Sequence, residues 1–280
     1  MESKFDYQLL PRFWKNRTAL TGIIIVMILI FGAVLADLLS GQDPNVQGDL
    51  VADRYLSPSA DHLFGTDKYG RDLFSRVLHG GRISLFIAAS VVLISITIGV
   101  LYGSISGYFG GYTDALMMRI LDFLLAFPLI FLTITIIAVF EVTHLYLIPL
   151  LALTGWMETA RLVRAEVLSL KEREFILAVK GFGYSHMRII CKHIIPNCIA
   201  IIFVTAPLKV AEVVLLESAL SFLGIGVQPP TPSWGNIIND GRESLSYAWW
   251  VSTFPGIFIT FTVMSFYLIS DGLKEMMHKS

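Results

Sequence analysis

The sequence is short of charge. Asp, Glu, Lys and Arg supply only 15% of its 280 residues, well below the quarter usual in a soluble domain. With 55% apolar residues and a mean hydropathy of +0.68, the chain reads as an integral membrane protein. A net charge of −1 leaves no basic surplus for nucleic acid. Its two cysteines, Cys191 and Cys198, form no Cys-x-x-Cys or Cys/His pattern and read as packing residues. His79, His186, His193 and His278 are scattered, which argues against a metal site. No Gly-x-x-x-x-Gly-Lys-Ser/Thr is present, and Lys180-Gly181-Phe182-Gly183 lacks both that spacing and its hydroxyl, so the chain is expected to hydrolyse no nucleotide itself. Neither His-Glu-x-x-His nor a nucleophile elbow with a partner supports an intramembrane enzyme.

What is present is a series of apolar runs with few or no Asp, Glu, Lys or Arg, each near the 20 or so residues that cross a bilayer. Six spans are expected: 18–36, 84–107, 123–140, 145–162, 196–220 and 249–270. The first follows a basic start at Lys4, Arg12, Lys15 and Arg17; a cleaved signal peptide is the rival reading, but no Ala-x-Ala follows. Between Asp122 and Glu158 the only charge is Glu141, which suits two spans joined by the turn Glu141-Val142-Thr143-His144, one over-long helix being the alternative. Lys and Arg number four at the N-terminus, one near Arg119, seven from Arg161 to Lys192 and two in the tail, against six in the opposite loops. Both termini are therefore expected in the cytoplasm. The division follows: 1–83 as N-terminus, first span and external amphipathic segment, 84–272 as the transmembrane domain, 273–280 as tail.

Between the fourth and fifth spans lies LAVKGFGYSHMRIICKHIIPN, residues 177–197. Gly181 and Gly183 break the helix between Lys180 and the periodic run Met187, Ile190, Ile194, and Pro196 opens the next span. Charge alone also allows a basic helix bound to anionic lipid. The order Leu177-Ala178-Val179, Gly183, Pro196 resembles the "EAA" coupling motif of ATP-binding-cassette importer permeases, with Leu177 in place of the Glu and Val179 in place of the second Ala; Glu172 or Glu174 could supply the missing charge. Two further stretches, residues 62–85 (HLFGTDKYGRDLFSRVLHGGRISL) and 217–242 (ESALSFLGIGVQPPTPSWGNIINDGR), are similar to signatures of the C-type permease of dipeptide, oligopeptide and nickel importers. The resemblance covers nearly the whole chain. It implies an all-α, type-I bundle in a bacterial inner membrane, embedded in lipid and paired with a homologous B-type permease. It further implies two cytoplasmic ABC ATPases that bind ATP and Mg, and an extracytoplasmic substrate-binding protein. Gln228, Pro229, Pro230, Pro232 and Trp234 would then lie near the docked binding protein.

Read from the residues, Gly65-Thr66-Asp67 and Gly70-Arg71-Asp72 suit turns and caps. Thr66 or Asp67 is expected to cap an amphipathic segment whose Leu73, Val77 and Leu78 lie on the membrane surface, most of it a solvated loop. Three prolines stiffen 228–232, and Trp234 is expected to anchor at the interface. Gly99, Gly103, Gly107 and Gly111, with Ser95 ahead of them, form a stripe for close helix approach by this chain or by a partner. Arg119 and Asp122 read as an interfacial ion pair, and Pro128 as a bend, a pattern that also resembles the family. Ionisable residues inside spans are costly unless paired or facing water. Lys209 and Glu212 either neutralise one another or line the pathway, and Glu217 is expected to face the cavity or the helix ends. A proton- or sodium-coupled carrier is the rival class; it would want a midplane ion site and internal repeats.

Overall fold

The structure is a computed structural model that describes residues 16–127, 129–140 and 144–278. The expected basic residues Lys4, Arg12 and Lys15, the bend at Pro128 and the turn at Glu141, Val142 and Thr143 lie outside them. Among the described residues the secondary structure is helical apart from one isolated bridge between Thr66 and Asp72.

Helix α1, Arg17–Val34, begins where the Asn16 side chain accepts from the backbone N–H of Thr18 and Ala19, satisfying donors that have no partner in a first turn. The short α2, Ala36–Ser40, stops at Gly41, whose φ of +61° is left-handed. Residues 42–72 then cover one pole of the bundle before α3, Leu73–Phe109, crosses to the other. Its cap is Asp72, which accepts from Ser75 N–H at 2.8 Å; the expected caps Thr66 and Asp67 sit earlier, in the buried turn. At 37 residues α3 is about 55 Å long at 1.5 Å per residue, far beyond a hydrocarbon core of about 30 Å. It therefore begins well ahead of the expected span at 84. Its first turns are not a surface-lying segment: Leu73 and Val77 are fully buried in the largest apolar cluster, and Leu78 is buried as well.

After Gly110 come α4, Gly111–Leu125, α5, Leu129–Phe140, and α6, His144–Leu170. Two short helices follow, α7, Glu174–Gly181, and α8, His186–Ile189; a π-helical turn, Ile190–Ile194, then leads into α9, Ile195–Phe222. Then come α10, Trp234–Gly241, and α11, Trp250–His278. Four stretches of the described residues are long and apolar enough to cross a membrane: Arg17–Val34, Leu73–Phe109, His186–Phe222 and Trp250–Met276. The expected spans 123–140 and 145–162 fall on α4 with α5, and on α6.

The glycine stripe places the bundle's central seam. A Cβ on Gly99 would stand 2.6 Å from Thr159 Cβ, one on Gly103 2.4 Å from the Ala160 carbonyl oxygen, and one on Gly107 2.9 Å from Val167 Cβ. Numbers rise together on both helices, so α3 and α6 run parallel with backbones in contact, and α4 with α5 makes the return between them. The approaching helix belongs to this chain. Gly111 is not in the seam: it starts α4 with φ +52° and open space around it. Small residues also seat α1 on α11, where Cβ atoms on Gly22 and Gly272 would come within 2.6 Å of Ser265 O and 2.5 Å of Ala19 Cβ.

Candidate coupling segment and buried charges

The segment 173–197 folds as two short helices about a left-handed glycine. Gly183 has φ +76° and nothing within 4 Å of a would-be Cβ, so its backbone conformation, rather than crowding, selects glycine. Ile176, Ile189, Ile190 and Ile194 are buried with Val163 and Val167 of α6 and Val100 of α3. Leu177, Phe182 and Met187 are 55%, 81% and 64% exposed, and Ala178 and Gly181 are exposed as well, while Val179 is half-buried. Met187 therefore leaves the periodic run that Ile190 and Ile194 continue inward. Glu174 sits in the first turn of α7, where a carboxylate complements the helix dipole; Pro196 lies in the first turn of α9. Cys198 is buried as expected, but Cys191 is exposed.

The charges inside the helices pair differently from the expectation. Lys209 of α9 meets Glu212 at 3.0 Å and also Glu158 of α6, making a trio rather than a pair. Asp122 pairs with Arg161 of α6, not with Arg119; Arg119 is exposed and makes no ion pair among the described residues. Asp114, at the start of α4, takes a bidentate fork from Arg164 and a hydrogen bond from Ser106. Glu217 does not face a cavity. It is fully buried and accepts from Ser84 of α3 at 2.8 Å and Ser221 at 2.7 Å, while Ser84 also accepts from Trp234 N–H at 3.4 Å. The carboxylate thus ties α3, α9 and α10 together.

At the pole covered by 42–72, Asp67 accepts from Arg71 Nε at 2.6 Å and lies 3.4 Å from Arg76 Nε. Asp240 of α10 receives Arg71 at 3.2 Å and Lys68 at 2.8 Å. Burial disfavours the Lys68 ammonium, yet its hydrogen bond to Asp240 and that carboxylate's charge together hold the group above its ordinary value. Thr66, Asp67, Arg71 and Asp72 are all buried, so this is no solvated loop; charges taken out of water need this density of partners. Gln228, Pro229 and Pro230 are exposed, whereas Pro232 is buried. Trp234, expected at the membrane interface, is 1% exposed and donates Nε1–H to Val77 O at 3.0 Å.

Residues 99–280 match the family described as the binding-protein-dependent transport system inner membrane component. The chain belongs to that family. Residues 8–58 of the permease also match the N-terminal TM domain of oligopeptide transport permease C. It is 41% identical over 264 residues to the oligopeptide transport system permease protein OppC of Bacillus subtilis (strain 168), covering 94% of this chain and 86% of the relative. The dipeptide transport system permease protein DppC of the same organism is 41% identical over 265 residues, 94% and 82% of the two chains. OppC of Haemophilus influenzae is 39% identical over 267 residues, 94% and 85%. The permease is thus an all-helical, multi-pass inner-membrane transport component of the type-I class, not an enzyme.

Sequence reasoning passed over Glu158, Arg161, Arg164 and Asp114. Glu158 entered only as the limit of an apolar stretch and Arg161 only as the start of the basic loop, although their i,i+3 spacing, with Arg164 a further turn on, sets three ionisable groups along one side of α6.

Proposed function

We propose that the permease is one of two unlike transmembrane subunits of an ATP-driven, binding-protein-dependent importer of di- and oligopeptides. Six crossings carry it through the membrane, α4 with α5 forming the third, and both termini lie in the cytoplasm. Residues 177–196 dock on one of two ABC ATPases, which hold the ATP and Mg. A homologous B-type permease completes the pathway. The binding protein docks at the opposite pole, near Gln228, Pro229 and Pro230. The peptide reading rests on the relatives' names: the permeases compared above are named for oligopeptide and dipeptide transport.

The observation that carries the coupling role is the two-sidedness of 173–197. A row of isoleucines anchors it to α3 and α6, while Leu177, Phe182 and Met187 stand out into solvent around the left-handed Gly183. Exposed large apolar groups concentrated on one short segment mark a docking surface. Gly183→Asp tests it. Open space surrounds the position, and the strain of a non-glycine residue there costs only about 1–2 kcal/mol, so the bundle still inserts while a carboxylate enters the docking face. In vesicles with the full complex, uptake of a labelled dipeptide and its coupled ATP hydrolysis are expected to fall to background. Normal uptake by the variant at normal expression removes the coupling role, and uptake of nickel chelate in place of dipeptide removes the peptide assignment.

A further inference from the structure

Three consecutive residues at the end of α3 are each gripped by a different element. Ser106 donates to Asp114 of α4, whose two oxygens also hold the Arg164 fork at 2.5 Å. The Gly107 carbonyl accepts from Lys171, just beyond α6, at 3.2 Å. The Tyr108 hydroxyl meets His186 Nδ1 of α8 at 2.8 Å, with the two rings 5.6 Å apart edge to face. Immediately after this turn the chain passes Gly110 and Gly111, at φ +65° and +52°, into α4, which fully buries only Leu121. Beyond its first turn α4 is held by the Tyr102 hydroxyl on the Met117 carbonyl at 2.7 Å, by Leu121 against α6 and by the Asp122–Arg161 pair; with little else packed, and hung from two left-handed residues, its start can shift at modest cost. The coupling segment, by contrast, packs on α3 and α6 through one apolar cluster, a non-directional contact that does not by itself fix how its displacement reaches them.

We infer that the turn Ser106-Gly107-Tyr108 is the relay that passes displacement of 174–194 to α4, with Tyr108 and Asp114 as its positioning residues. The inference rests on the coupling role proposed above. Displacement of α8 pulls on Tyr108 through His186. Asp114, bound to the same turn through Ser106, carries the start of α4 along with it about the Gly110-Gly111 elbow. The grips are polar and directional, so removing one hydroxyl interrupts the transfer without emptying the apolar cluster beneath.

Tyr108→Phe removes only that hydroxyl, and Asp114→Asn keeps the shape of the side chain while discharging the fork. The readouts are yield of assembled complex, ATP hydrolysis, and dipeptide uptake per ATP in vesicles. Each variant is expected to assemble at wild-type yield and lower uptake per ATP about threefold to tenfold, within the roughly twofold to thirtyfold that residues along a coupling route command. The double variant is expected to be no worse than the weaker single, because both act through one turn. An unchanged ratio in Tyr108→Phe, a loss of yield without a change in ratio, or singles whose effects multiply in the double overturns the relay. Gly183→Asp run alongside separates the two claims. If it abolishes uptake while Tyr108→Phe leaves the ratio unchanged, the relay alone is wrong; if it transports normally, the coupling role fails and the relay with it.

Discussion

Lys209 is one ammonium between two carboxylates, Glu158 on the neighbouring helix and Glu212 on its own. Both acids are more than half exposed on the isolated chain. Removing the cation leaves like charges facing each other at a depth where unpaired charge is costly, so Lys209→Met is expected to lower the yield of assembled complex severalfold. Adding Glu212→Gln recovers part of that loss, and adding Glu158→Gln as well recovers more, since each step removes an orphaned acid. Size-exclusion yields of the three variants measure this; if the triple variant is no better than Lys209→Met, the trio does not hold α6 to α9. That Lys209 needs a partner is readable from a charge in an apolar run. Which partner it takes is not, because Glu158 lies 51 positions away and reaches it only where α6 packs beside α9. Glu217 teaches the same lesson: its cost in a span is plain from sequence, but Ser84, 133 positions earlier, is what makes burial tolerable.

Among the elements, the α3–α6 seam makes a sharp distinction between glycines. A methyl group on Gly103 would meet the Ala160 carbonyl at 2.4 Å and Arg164 N at 3.0 Å, backbone atoms that cannot swing aside. Gly103→Ala is therefore expected to cost about 1–3 kcal/mol. Gly256 of α11 has open space and an ordinary φ, and Gly256→Ala should be neutral or gain up to about 1 kcal/mol from helix propensity. Thermal unfolding midpoints of the solubilised complex compare the two; equal shifts would mean the seam is looser than described. A second joint links α2 to α3, where Asp37 accepts from His79 at 2.9 Å and Arg82 at 3.0 Å. Those hydrogen bonds, His79 first and then Arg82, hold the Asp37 carboxyl below its ordinary 3.8. A lowered folded value means the joint contributes above 3.8 and is lost as pH falls through the depressed value. Amides of 35–40 should therefore exchange hydrogen faster in Asp37→Asn than in the wild type at pH 7, and the difference, corrected for intrinsic rates, should vanish in strong acid. A difference that persists there assigns the effect to something other than this carboxylate. The stripe itself was legible as a four-residue repeat, because close approach demands small residues wherever it occurs; the identity of the facing helix was not, since any helix surface can accept it.

On the scale of the whole molecule, the all-helical membrane fold and the helix–glycine–helix segment before Pro196 were legible. Apolar runs, glycine and proline act locally on the backbone. Leu73, Val77 and Trp234 were misplaced because hydropathy cannot tell a side chain facing lipid from one facing protein. The burial of Arg71 depended on Asp240 and that of Thr66 on the Trp250 indole, partners distant in sequence. Assembly follows from what the chain leaves uncovered. Asp122, Arg161, Glu158 and Glu212 are each half or more exposed on helices α4, α6 and α9. Lipid would be a costly cover for four charges, so a partner subunit or an aqueous pathway is required. Tagged permease co-expressed with its genomic neighbours should therefore purify with a second, different permease and two ATPase copies. A stable, transport-competent homodimer in their place would overturn that expectation.

The parallel run of α3 and α6 also bears on how the chain is made. The strip at Gly99, Gly103 and Gly107 leaves the ribosome roughly sixty residues before its counterpart at Thr159, Ala160 and Val167, and at about 5–20 residues per second that interval is roughly 3–12 seconds. For that time α3 stands in or beside the insertion machinery with its backbone bared along one edge. Biosynthesis of this permease thus includes an obligatory wait, set by topology, in which a backbone-to-backbone seam of the finished bundle is left unsheltered.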